Sequence, residues 1–159
     1  MVRRAPGAPQ KSGRLKPPLP GLFRRWLPER RTFLGRKISS KTLALNISRI
    51  ALDNKAKEIV IIDIAEKVDY ADYLVICTGT SRRHVKAISN ELEGNMKRKR
   101  IVPLGIEGEI DGNWILMDYG SVIVHIFHSD TRHYYDIDGL WLDADRLAFD
   151  EDLKPSSKS

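Results

Sequence analysis

From Thr42 onward the apolar positions Leu43, Ile47, Ile50 and Ala51 follow the i, i+4, i+7, i+8 spacing. That spacing predicts an amphipathic helix with Ser40 or Thr42 as its cap. The period then changes. Residues 58–64 hold the unbroken β-rich run Ile59-Val60-Ile61-Ile62, closed by Asp63 and the polar turn Glu66 to Asp69. A second such run lies at 71–78, centred on Tyr73-Leu74-Val75-Ile76. The first reads as a covered strand and the second as the next strand. Gly79-Thr80-Ser81 leads into a helix whose Val85, Ile88, Leu92 and Met96 form one apolar stripe, with Ser81 as N-cap. Lys97 to Arg100 stand at its C-terminal end, where the helix dipole favours cations. That basic run therefore reads as helix termination.

Residues 101–110 predict a further extended segment, with Pro103 near its start pointing to a sheet edge. Trp114 to Asp118, then Tyr119-Gly120, then Ser121 to Phe127 form a hairpin signal, because glycine accepts the positive φ that tight turns demand. The second run is apolar on both faces and belongs in the middle of a sheet. In the first run, strand alternation puts Trp114, Leu116 and Asp118 on one face. A tryptophan and a carboxylate on an exposed face would make a docking surface. Core packing for Trp114, and a turn role capping its own backbone for Asp118, stay open beside that reading. After the hairpin, residues 130–147 carry Tyr134, Tyr135, Ile137, Leu140, Trp141 and Leu142, a short apolar helix or two broken by Gly139. The whole predicts an α/β fold, a mixed sheet of about five strands covered by helices.

Charge divides the chain. Residues 1–41 hold 12 Lys and Arg against Glu29, a balance of +11, and six of the eight prolines. They read as a basic disordered arm, a loose nucleic-acid contact or an organellar targeting segment. Apolar Leu22, Phe23, Trp26 and Leu27 interrupt it, which leaves room for a short segment that folds on binding. Residues 42–159 hold 15 basic residues against 20 acidic, a balance of −5, which suits a basic partner. The predicted domain covers 42–149, and 150–159 form a polar tail. One cysteine, Cys77, lies inside an apolar run; it excludes an internal disulfide framework and fits a reducing compartment. No run approaches the roughly 18 apolar residues of a membrane span.

Candidate chemistry is sparse. Gly79-Thr80-Ser81 followed by Glu91-Leu92-Glu93 nearly matches the spacing of the nucleotidyltransferase metal motif. On a helix, however, residues i and i+2 point about 200° apart and cannot chelate one ion. A phosphate cradle at 79–81 lacks the full phosphate-loop pattern, and a capped strand-to-helix turn explains the same residues. His125 and His128, three apart on a strand, face opposite ways, and no Cys or His pair has zinc spacing. His125 reads as a hydrogen-bonded core residue. No cofactor or metal is expected.

Taken in order, Asp72 to Ile76, Gly79-Thr80-Ser81, Arg83-His84-Val85, Glu107-Gly108, Trp114 to Gly120, Val122 to His125, Arg132 to Tyr135 and Leu140-Trp141 closely resemble the ribosomal silencing factor family, RsfS or Iojap. The match runs from about Leu43 to Leu147 in one register, and the arm lies outside it. Asp138 stands where many members carry glutamate, a conservative change. The resemblance implies a nucleotidyltransferase-like mixed-sheet fold without catalytic acids, and a protein that is not an enzyme. It implies binding to the large ribosomal subunit through ribosomal protein fourteen (uL14), with steric blocking of the small subunit when nutrients are scarce, and in organelles a part in large-subunit assembly. Carried onto matching positions, Trp114 and Asp118 are the implied contacts, with Tyr119 and Glu107 as weaker ones, while Arg132 and Tyr135 read as domain-closing residues. A cytoplasmic setting is expected, or a mitochondrial or plastid one if residues 1–41 are a targeting segment. Ribosomal RNA contact by the arm and a homodimer of the free protein stay open.

Overall fold

A computed structural model describes residues 38–149, so the readings made on residues 1–37 and 150–159 lie outside the described residues. The chain runs α1 (Ser40–Asp53), β1 (Lys57–Asp63), β2 (Tyr73–Gly79), α2 (Arg82–Arg98), β3 (Gly105–Glu107), β4 (Trp114–Asp118), β5 (Val122–His128), α3 (Ser129–Tyr135), α4 (Ile137–Leu140) and β6 (Arg146–Leu147). The sheet has six strands in the order β3-β4-β5-β2-β1-β6, one more than the apolar pattern predicts. Only β2 and β5 run parallel, from Tyr73 opposite Val122 to Gly79 opposite His128. Every other pair is antiparallel. The expected hairpin is β4–β5, and the expected edge strand is β3.

Alternation along the strands feeds two cores. On one face Val75, Cys77, Ile115, Met117, Val122, Val124 and Ile126 pack against Leu43 and Ile47 of α1 and against Val85, Ile88, Leu92 and Met96 of α2. On the other, Ile62, Leu74, Ile76, Trp114, Leu116, Ile123 and Phe127 pack under Ile137, Trp141 and Ala144. Burying both faces is what strands of unbroken apolar sequence need.

Local chemistry sets the element ends. Helix α1 starts two residues before the Thr42 boundary, and its cap is Ser39, whose side chain accepts from the Thr42 amide. Ser40 lies inside the helix, and its hydroxyl donates instead to Asp72. Ser81 caps α2 as expected, accepting from His84 N at 3.0 Å. Glu58 has φ 47° where the β1–β2 register slips. This bulge leaves its carbonyl to accept from Arg132 Nη1 at 2.7 Å.

Candidate functional site

The face singled out by the sequence lies where β3 and β4 close one side of the sheet. Gly108 brings the chain round between them with φ 88°, and a Cβ there would stand 2.0 Å from the Trp114 carbonyl oxygen, so only glycine fits. The β3–β4 register sets Glu107 opposite Leu116 and Gly105 opposite Asp118. Directly opposed residues point to the same face of a sheet, so Glu107, Trp114, Leu116 and Asp118 share one face. Tyr119 does not join them, for it packs with Ile115 and Met117 under the helices on the opposite face.

The exposure of Trp114 and Asp118, which the sequence leaves open, is resolved by their depth. Trp114 is 7% exposed and Asp118 5%. The indole lies 4.6 Å, centroid to centroid, from both the Phe127 and the Tyr135 rings, and its Nε1 donates to His125 Nδ1 at 3.0 Å. Strand alternation gives the co-facial grouping, but it cannot show that α3 folds back over that face and sets Tyr135, itself 48% exposed, on the indole. Asp118 Oδ1 accepts from the Gly120 amide at 2.8 Å, and Gly120 has φ 88°. The carboxylate thus caps the hairpin turn, the role left open beside docking. Glu107 stands half-buried on the edge strand.

The buried polar groups here are tightly arranged. His125 is pushed down to about 3 by burial, with the charge of Asp138 opposing the shift, and is therefore neutral. Since Nδ1 accepts from the indole, the proton of the neutral ring sits on Nε2. Arg132, buried under α3, donates through Nη1 to Thr78 Oγ1 at 2.8 Å as well as to the Glu58 carbonyl, and through Nη2 to Asp138 Oδ2 at 2.8 Å. It fastens α3 and α4 to β1 and β2, the domain-closing role read from the sequence. Oδ1 of Asp138 and the hydroxyl of Tyr119 are buried with no hydrogen-bond partner among the described residues. Burial, then the charge of Glu93, raises the Tyr119 phenol. Glu93 is half-buried and Glu91 exposed. Leu92 is fully buried between them. No cluster of three or more His, Cys, Asp or Glu able to hold a metal occurs among the described residues.

A family model described as "Ribosomal silencing factor during starvation" matches residues 37–159. The chain belongs to the ribosomal silencing factor family. It is 39% identical over 101 residues to the ribosomal silencing factor RsfS of Bacillus subtilis, a match covering 63% of this chain and 86% of that one. Among solved structures, a protein from Bacillus halodurans superposes with TM-score 0.60 at 31% identity, covering 70% of this chain and all of that one. Protein CV0518 from Chromobacterium violaceum superposes with TM-score 0.62 at 29% identity, covering 75% and 97%. The family's match, residues 37–159, takes in all of the described residues 38–149, so the Trp114–Glu107 face lies within the matched span. No helix among the described residues is long and apolar enough to cross a membrane.

Proposed function

We propose that the chain binds the large ribosomal subunit through ribosomal protein fourteen (uL14) and keeps the small subunit from joining by occupying the space between them. The observation that carries this reading is the silencing factor match across 37–159. The chain acts by occupancy, without turnover, in the cytoplasm of its host. What supports the β3–β4 side as the docking face is its make-up. An edge strand presents one row of main-chain groups that a partner can pair with. The half-buried Glu107 on that edge suits the Lys and Arg of a ribosomal protein. In this reading Glu107 and the rim of Trp114 under Tyr135 meet the partner. Asp118 and Tyr119 act from beneath, holding the turn and the back of the strand.

Co-sedimentation with separated ribosomal subunits tests it. The chain pellets with large subunits and lowers the fraction of joined ribosomes, and Glu107→Lys weakens that binding about tenfold, a loss of about 1.4 kcal/mol. Absence of large-subunit binding by the unsubstituted chain overturns the function. Normal binding by a folded Glu107→Lys variant overturns the edge as its site.

A further inference from the structure

Helix α2 carries charge that neither the core nor the helix dipole accounts for. Residues 82–100 hold seven Lys and Arg against Glu91 and Glu93, a balance of +5, while the rest of 42–149 holds six against fifteen, a balance of −9. The dipole accounts for Lys97 and Arg98 in the last turn. It disfavours Arg82 and Arg83 at the start, where the first turn has no acidic residue. Among the described residues Arg82, Arg83, Lys86 and Lys97 make no ion pair. At 100° per residue Arg83, Asn90, Gly94 and Lys97 fall on one outward strip, opposite the buried Val85, Ile88, Leu92 and Met96.

Gly94 adds an independent observation. A Cβ placed there would meet nothing within 4 Å, so the fold has no steric use for a glycine that weakens the middle of a helix relative to alanine. The residue does make sense if something outside approaches the helix backbone closely at that point. From Arg83 to Arg98 the rod is about 22 Å long, with cations at both ends and a small-residue waist.

We infer that the outward face of α2 is a second contact surface, which takes the phosphate backbone of structured RNA across the Gly94 waist. Repeated phosphates fit cations spaced along a rod, and phosphate contacts position a protein without requiring a base sequence. The inference rests on the ribosomal reading for the source of the RNA. It assigns the face, distinct from β3–β4, that orients the domain on the subunit.

The test uses the full chain and a fluorescent RNA duplex of about 20 base pairs, with anisotropy titrations over a range of salt concentrations. Replacing Arg83, Lys86 and Lys97 together by glutamine is expected to make the slope of log K against log salt shallower by up to about 2.7, given roughly 0.9 per phosphate contact. Gly94→Gln is expected to melt at a higher temperature and yet bind the duplex about threefold or more weakly. A merely structural glycine would not give that opposition. Unchanged slope and affinity in both variants overturn the inference, as does a Gly94→Gln chain that melts lower than its parent. Co-sedimentation is run beside it. If the unsubstituted chain ignores large subunits while the α2 variants still lose duplex binding, the ribosomal reading fails and the RNA surface stands.

Discussion

Trp114→Phe separates the two jobs the indole does in the folded chain. The smaller ring can still lie against Phe127 and Tyr135, but nothing then donates to His125 Nδ1. A buried acceptor left without its donor costs about 1–3 kcal/mol, so urea denaturation at neutral pH is expected to show a loss of that size. Trp114→Ala would add a cavity and bring the total to about 3–5 kcal/mol, which makes it a poor probe of binding. His125 itself makes stability depend on pH. Its folded value of about 3 lies below the ordinary 6.5, so as the pH falls the unfolded chain takes up this proton first. The stability this neutral ring carries is therefore complete above about pH 6.5 and is lost as the pH drops towards 3, at up to about 1.4 kcal/mol per pH unit. His125→Gln can keep an acceptor without a titrating ring. Denaturation midpoints at pH 7 and pH 5 should differ less for it than for the unsubstituted chain, and an equal difference would place the pH dependence elsewhere.

At the scale of elements, α3 and α4 depend on one guanidinium. Arg132→Met removes three hydrogen bonds that join β1, β2 and α4 and strips Asp138 of its ion pair. Breaking such a largely buried pair costs about 3 kcal/mol or more. The loss should be local first: amide exchange in 129–140 speeds up while β2 and β5, in the middle of the sheet, keep their protection. Equal loss in both would mean that the cap and the sheet unfold together. This region also marks the limit of reading periods from sequence. The longer strands and α2 announce themselves because an unbroken β-rich run or a 3.6-residue stripe extends over several residues or turns. The two-residue β6 is defined only by Ile61 and Ile62 opposite it, and no local pattern encodes that. The break between α3 and α4 falls at Asp136, with φ 46°, whereas Gly139 lies inside α4. An aspartate accepts the left-handed conformation, and its side chain receives the Gly139 amide. The candidate face was legible in the same partial way. Alternation grouped Trp114 with Asp118, but Trp114 lies under Tyr135, which belongs to a segment whose fold the pattern left open.

For the whole molecule the decisive quantity is where the charge lies. Residues 1–37 carry eleven Lys and Arg against Glu29, and removing them takes the net charge from +6 to −4. Cutting there, instead of at 41, keeps the Ser39 cap and the Ser40–Asp72 hydrogen bond. Loss of ten net positive charges should lower affinity for any RNA and flatten its salt dependence. In the trimmed chain the remaining positive surface is concentrated on α2. If subunit blocking belongs to the domain, the trimmed chain still pellets with large subunits and still reduces joined ribosomes, at a somewhat higher concentration because steering towards a polyanion is weaker. A trimmed chain that binds large subunits yet lets the small subunit join would move the obstruction into the arm and reduce the domain to an anchor. The two outcomes separate in one sedimentation profile, since binding is read from the large-subunit peak and blocking from the joined-ribosome peak.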